Sequence, residues 1–408
     1  MGKNIWIINE YAGSIVHGMA YRHYYLAKEL NKKGYDTTVI TGTYSHFLNK
    51  YPNLEKKEKY KEERVNGVNY LWVKVMKYDK SFDKKRVLKW FQFVYKLFFI
   101  SKHISNKPDY IICSTTAPFA ILSSLYLARK HKVKLVFEVR DIWPLTLVEV
   151  GGYKKRHPFI ALMGFFEKFA LKKADVLVSN LQNYSSHIKN LGINRKADWI
   201  SNGVDLTEME GHSSLNEEIK NRIPKNKFIV GYTGKFGVSN ALNYLIEAAE
   251  LLKDNENILF VFVGDGQEKE FLKKQAHNLN NILFIKFIKK EQVQSMLSLF
   301  DICYIGLNKE RIFTYGVSPH KLYDYMYSGK PILYAIDSGE SNIVEEANCG
   351  IVATPEDSKS ISEAIKNLYD MNQKDRSVLG ANGKEYVINN FSYSKLAEKY
   401  IRILNKKV

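Results

Sequence analysis

The sequence predicts an α/β protein of two domains, each built around a parallel β-sheet. Three observations carry that expectation. Residues 4–9 (NIWIIN) are an apolar run of strand length, followed by a glycine-bearing loop, a helical pattern and the strand-like DTTVIT; strand, crossover helix and strand in that order make a βαβ unit, whose strands pair in parallel. The same order returns at residues 228–233 (FIVGYT), which lead through a second glycine loop into a helical pattern over 241–252. A chain of 408 residues with 45% hydrophobic content is also more than one core usually absorbs.

The first strand lacks the alternation of a half-exposed strand, as expected of one covered on both faces. The loop after it holds Gly13, Ser14, His17 and Gly18, and the helix over 19–32 offers Tyr24, Leu26, Ala27 and Leu30 as an apolar face. Glycines at the carboxyl end of a strand let a ligand approach the backbone. His17 and Arg22 are therefore candidate polar contacts there, against the alternative of ordinary surface residues. The spacing is not G-x-G-x-x-G, so a dinucleotide site is not indicated.

Residues 44–64 read as charged and irregular, and 65–75 as strands. The next segment, 84–103 (KKRVLKWFQFVYKLFFISKH), mixes Lys84, Lys85, Arg86, Lys89, Lys96 and Lys102 with Trp90, Phe91, Phe93, Tyr95, Phe98 and Phe99. Such a helix suits an anionic membrane surface; the alternative is a core helix with its lysines on the wet face. A strand at 108–114, a turn at 115–118 and a helix to residue 129 precede the strand 134–140 (KLVFEVR), whose carboxyl end carries Arg140 and Asp141. Charged residues just past an inner strand stand where α/β folds hold ligands, unless the two simply form an ion pair. A helix over 159–173 and a strand over 174–179 complete the first domain, 1–203; the composition then turns polar. The second domain, 204–392, continues with strands at 258–264, 282–287, 302–306 and 350–352, and a last helix begins at about 393.

A net charge of +18 predicts a partner carrying negative charge, with nucleic acid, an anionic membrane and phosphorylated substrates as the candidates. Cys113, Cys303 and Cys349 are far apart, which argues against a disulfide framework or a zinc site and for a reducing compartment. The N-terminal apolar run is too short for a signal peptide. No segment reaches the roughly eighteen unbroken apolar residues of a spanning helix. The expectation is a cytoplasmic protein, soluble or peripheral on the inner face of the membrane.

The most informative stretch is 314–334, TYGVSPHKLYDYMYSGKPILY. Ser318 is a suitable N-cap and Pro319 a suitable first helical residue. The first amides of the helix, on His320, Lys321 and Leu322, would then point into the loop as an anion site. Lys321 in a first turn opposes the helix dipole unless an anion balances it. Asp324, one turn on, could accept both hydroxyls of a ribose whose phosphates sit on the helix tip. The alternative is an ordinary capped helix with Asp324 as a solvated charge.

Residues 318–333 closely resemble the nucleotide-sugar-binding helix of retaining GT-B glycosyltransferases of family 4, S-P-x-K-L-x-(D/E)-Y-M-x-x-G-K-P. The resemblance implies two facing Rossmann-like domains with a cleft between them, the donor diphosphate on the helix tip and the ribose on Asp324. Where many members carry a second glutamate, this chain has Gly316. In the family the basic residue after the first glycine of the second domain's loop contacts the donor phosphate, which points to Gly234 and Lys235. Asn240 stands where many relatives have another lysine, so Lys321 is expected to supply the second cation. VRDIWP, at 139–144, resembles the family's V-H-D or V-R-D segment, where a histidine lies beside the transferred sugar; Arg140 and Asp141 inherit that position. The Gly13–Gly18 loop corresponds to the one that meets the acceptor. ISNGVD, at 200–205, resembles the exit from the first domain, and the last helix is expected to return to that domain.

The HGMAYRHYYLA and YGVSPHK segments resemble those of the fucosamine-transferase-like subgroup of bacterial surface-polysaccharide enzymes. The implied reaction is metal-independent transfer of an N-acetylhexosamine or deoxyamino sugar, with retention, from a UDP-sugar to a polyprenyl-diphosphate-linked acceptor. It belongs to the assembly of O-antigen, capsule or exopolysaccharide. No Asp-X-Asp occurs in the chain, and no cofactor is expected. A UDP-sugar epimerase or a phosphorylase of the same fold is the alternative. A nucleic-acid-binding role rests on charge alone, without any RNA-binding signature.

Overall fold

The computed structural model describes residues 2–18, 21–46, 48–79, 84–115 and 118–406. The chain divides into two units, Met1–Ser201 with Tyr393–Val408, and Asn202–Ser392. The predicted helix start at residues 19–20 and the centre of the predicted turn at 115–118 lie outside the described residues.

The first unit holds β1 (Asn4–Ile8), β2 (Asp36–Gly42), β3 (Tyr60–Val65), β4 (Val68–Val73), β5 (Tyr110–Thr115), β6 (Lys134–Val139), β7 (Val176–Ser179) and β8 (Asp198–Trp199). Its helices are α1 (Arg22–Lys32), α2 (Lys84–Leu97), α3 (Ile121–His131), α4 (Leu145–Glu149), α5 (Pro158–Lys173) and α6 (Tyr184–Asn190). The sheet runs β3-β4-β2-β1-β5-β6-β7-β8 and is parallel except for the hairpin of β3 and β4. β3 corrects the expectation of irregular chain before residue 65. Its sequence, YKEERV, is that of an edge strand, where charge discourages further pairing and hides the strand pattern.

The second unit holds β9 (Phe228–Lys235), β10 (Ile258–Asp265), β11 (Ile282–Ile285), β12 (Ile302–Gly306), β13 (Ile332–Ala335) and β14 (Gly350–Val352). Its helices are α7 (Leu206–Glu210), α8 (Glu217–Lys220), α9 (Leu242–Leu251), α10 (Lys269–Gln275), α11 (Val293–Leu297), α12 (His320–Tyr327), α13 (Ile343–Glu346), α14 (Ser358–Asp370) and α15 (Gln373–Phe391). The sheet order is β11-β10-β9-β12-β13-β14, all parallel. Ile258 to Val263 of β10 are buried, as their unbroken apolar run requires. The last helix, α16 (Tyr393–Asn405), belongs to the first unit and packs on α1, with Tyr25 and Tyr393 stacked at 5.1 Å.

Strand order reverses beside β1 in the first sheet and beside β9 in the second. In open α/β sheets, the loops leaving strands at such a point form the ligand crevice. The loop with Ser14 and His17 follows β1, and the loop with Lys235 follows β9.

One face of α2 is a core face, as the alternative reading of 84–103 has it. Trp90, Phe93, Val94 and Leu97 are buried, and so is Lys89, whose Nζ lies 2.9 Å from Glu10. Lys89 and Trp90 are thus core residues rather than membrane contacts. Cys113, Cys303 and Cys349 are free and buried, and burial pushes each thiol up to about 12.

Candidate active site

In the second unit, the end of β9 and the start of α12 come together around Lys321. Its ammonium donates to the Tyr232 hydroxyl at 2.9 Å and to Asn240 Oδ1 at 2.6 Å, and stands 4.6 Å from the centre of the Tyr232 ring. Both partners are neutral, and among the described residues no carboxylate pairs with this lysine. Burial lowers the Lys321 pKa to about 7. Tyr232 and Asn240 pass the interaction on, each donating to the Lys235 carbonyl, at 2.8 and 3.1 Å. The Lys235 side chain is exposed.

The backbone here needs glycine. Gly234 has φ +143° and Gly264, its neighbour in β10, has φ +150°. A Cβ at Gly264 would collide with the Gly234 carbonyl oxygen, so the two strand ends close only without side chains. From the other side, Tyr325 of α12 is fixed to β9: Thr233 N donates to its hydroxyl at 2.8 Å, and the hydroxyl donates to Thr233 O at 3.0 Å.

α12 begins one residue later than expected. Pro319 is the cap, extended at φ −74° and ψ 131°, and His320 the first helical residue. Ser318 does not cap the helix; its hydroxyl accepts from Asn202 N at 2.8 Å and meets the Tyr323 hydroxyl at 2.9 Å. Asn202 Nδ2 donates to the Ser318 carbonyl at 2.6 Å. The Asn-Gly-Val-Asp segment therefore holds the loop that precedes α12. No acidic residue lies in the first turn and no side chain caps it. Leu322 is fully buried and anchors the helix, while His320 is exposed. Gly316, in the place of the family's glutamate, adopts φ +100°.

Asp324 is half-buried, and its carboxylate has no hydrogen-bond partner among the described residues; only its backbone carbonyl is used, by Gln294 Nε2 at 3.0 Å. Burial raises its pKa to about 6, with the nearby Lys290 opposing the rise and Glu208 adding to it. Lys290 and Glu208 pair with each other at 2.9 Å. A half-buried carboxylate kept free of protein donors is equipped to accept hydroxyl groups.

The first-unit candidates fare differently. Arg140 directly follows β6, and its Nε is buried without a hydrogen-bond partner. Burial, then the charge of Arg22, lowers its pKa. It forms no ion pair with the exposed Asp141, so the strand-capping pair does not form. Arg22 is not a loop contact: it begins α1 and is 1% exposed, with Glu138 at 2.7 Å and the Ile200 carbonyl at 2.9 Å. His17 is also turned inward, with Nδ1 2.9 Å from Ser14 Oγ, Nε2 3.3 Å from Glu63 and its ring on Trp72. Gly13 and Gly18 are buried in the same turn, which exposes Ile15 and Val16 instead.

Sequence reasoning passed over Tyr232, Tyr325 and Asn202. The two tyrosines sit in apolar runs and read as core. Asn202 was visible only as a marker of the domain exit. Among the described residues, no group of three or more His, Cys, Asp or Glu is placed to hold a metal ion.

Residues 16–208 match the family Glycosyltransferase Family 4, and residues 214–386 match Glycosyl transferases group 1. The chain is 27% identical over 290 residues to the probable glycosyltransferase WbjE of Pseudomonas aeruginosa, covering 68% of this chain and 72% of that one. It is 25% identical over 339 residues to the putative colanic acid biosynthesis glycosyl transferase WcaI of Escherichia coli, covering 79% and 78%. Among solved structures it resembles HepE of Anabaena in complex with UDP and glucose, with a TM-score of 0.66, 14% identity and 99% of each chain covered. The chain belongs to the GT-B glycosyltransferases, with a family 4 region followed by a group 1 region and relatives in bacterial surface-polysaccharide biosynthesis.

Proposed function

We propose that the protein transfers a sugar, an N-acetylhexosamine or deoxyamino sugar, from a UDP-sugar to a lipid-linked glycan, with retention of configuration and without a metal ion. The observation that carries this reading is Lys321: a half-buried cation in the first turn of a helix, held by neutral groups and without a counterion among the described residues. A site of that kind is completed by an anion. The diphosphate would lie against the α12 amides between Lys321 and Lys235, and Asp324 would accept the ribose hydroxyls.

In the reaction the bond from the sugar's anomeric carbon to the diphosphate breaks. The acceptor oxygen bonds to that carbon on the same face, and the acceptor's proton passes to a departing phosphate oxygen. Negative charge grows on the leaving UDP, and Lys321, Lys235 and the helix amides would meet it. Arg140, with donors to spare, is the first-unit residue best equipped to hold an oxygen-rich acceptor; Asp141 stands beside it in sequence.

Titration calorimetry with UDP-sugars in the presence of EDTA tests the donor site, and Asp324→Ala should weaken binding about 10- to 100-fold, the scale of a charged hydrogen bond. Undiminished binding in that variant overturns the ribose assignment. Product analysis with and without a lipid-linked acceptor separates transfer from epimerisation, because an epimerase converts the nucleotide sugar with no acceptor present.

A further inference from the structure

α2 carries a second apolar stripe. Leu88, Phe91 and Tyr95, continued by Phe99 just past the helix, recur every three or four residues and so share one face. That face is opposite the buried Trp90, Phe93 and Leu97. A helix on the outside of an α/β domain normally presents polar groups to water. Here the stripe widens onto neighbouring helices through a chain of ring contacts. Phe91 lies 4.9 Å from Phe119, Phe119 lies 5.3 Å from Phe166 of α5, and Phe165 is exposed beside it. At the other end Phe98 meets Tyr126 of α3 at 5.2 Å. Leu88, Phe91, Tyr95, Phe99, Tyr126 and Phe165 are between 41% and 65% exposed.

The charge on this surface has one sign. No Asp or Glu occurs from residue 84 to 108 or from 110 to 137, which includes all of α2 and α3. α5 holds a single carboxylate, Glu167, buried against His187 at 2.8 Å. Asp79 reaches the edge of the patch, 3.7 Å from Lys85. Exposed cations surround it, among them Lys84, Lys102, Lys130 and Lys168.

We propose that the α2–α3–α5 face of the first unit docks on an anionic lipid bilayer, with its aromatic side chains in the headgroup layer and its lysines against lipid phosphates. Amphipathic surfaces of this composition bind by apolar insertion together with attraction to anionic headgroups. Charge complementarity selects this occupant over a second copy of the chain. A two-fold contact would set the same lysines against themselves. The inference is independent of the donor site, which lies in the other unit.

The test is flotation of the full chain with vesicles of phosphatidylcholine alone or mixed with phosphatidylglycerol. The expected result is binding to the mixed vesicles only, weakened by salt. Two triple variants separate the contributions, Phe91→Ser with Tyr95→Ser and Phe165→Ser, and Lys84→Ala with Lys130→Ala and Lys168→Ala. Losing three surface lysines should lower partitioning on the order of 100-fold, and the aromatic variant should also detach. Both must retain wild-type tryptophan fluorescence and denaturant midpoint, which shows that the first unit, where all five tryptophans and all the substitutions lie, is folded. Absence of flotation, flotation unchanged in both variants, or wild-type dimers that the aromatic variant dissociates without any vesicle binding would each overturn the proposal.

Discussion

Lys321 and Lys235 are tied through the same two side chains. Tyr232 and Asn240 each accept from the Lys321 ammonium and donate to the Lys235 carbonyl. The start of α12 and the end of β9 are thereby held in one geometry before any ligand arrives. Two cations stay within the same loop cluster, and among the described residues no carboxylate neutralises Lys321. Partly burying a cation without a counterion costs stability, and an incoming diphosphate would return that cost as binding energy.

Replacing Lys321 by Met should separate stability from affinity. The uncompensated, half-buried charge disappears, so the second unit should be as stable as the native one or more so. UDP affinity should fall about 10- to 150-fold, as when a charged hydrogen bond is lost. Lys235→Ala, at an exposed position, should leave stability unchanged and reduce the salt dependence of binding. Calorimetry and thermal unfolding on the same samples check both.

Donor binding should peak between the two shifted titrations. Lys321 attracts a diphosphate only when protonated, and binding raises its pKa, so affinity should fall as the pH rises above about 7. Asp324 accepts hydroxyls best when ionised, so affinity should fall as the pH drops below about 6. The limbs should flatten separately, the alkaline one in Lys321→Met and the acidic one in Asp324→Asn. Binding constants for UDP between pH 5 and 9, allowing for the ionisation of UDP itself, test this; a wild-type profile in either variant rejects its assignment.

Glu138 anchors the first unit. Burial disfavours its charge, but Arg22, and then the His23 hydrogen bond, outweigh that and hold its pKa well below the usual range. The Tyr400 hydroxyl of α16 also donates to it. Burial lowers the His23 pKa to about 4, so that ring is neutral near pH 7. Glu138→Gln removes the carboxylate that balances the buried Arg22 charge and should cost about 3 to 5 kcal/mol. Because the folded pKa of Glu138 is depressed, its contribution is present above the ordinary carboxylate range and is lost as the pH falls through the folded value. All five tryptophans, Trp6, Trp72, Trp90, Trp143 and Trp199, lie in the first unit. Denaturant unfolding followed by tryptophan fluorescence therefore reads this change without interference from the second unit.

The parallel sheets were legible because strands covered on both faces have nothing polar to interrupt them, as in β10. β3 was not, because an edge strand is allowed its charges. At the site, the Ser-Pro-x-Lys run announced both α12 and its lysine, but not that Ser318 would hold Asn202 instead of the helix amides. Arg22 was misplaced although a signal existed. It precedes Leu26 by four residues and Leu30 by eight, which sets it on the inward face of α1. Lys89 bears the same relation to Phe93 and Leu97. In both cases charge was given more weight than helical phase, and the buried partners, Glu138 and Glu10, lie too far along the sequence or outside the helix for local pattern to reveal.

The return of α16 to the first unit orders the birth of the molecule. As the polypeptide leaves the ribosome, the residues of the second unit are complete while the first still lacks Tyr400 against Glu138 and Tyr393 against Tyr25. The half made first is thus finished last, and a nascent chain stalled near residue 392 carries an α1 surface whose covering helix has yet to be translated.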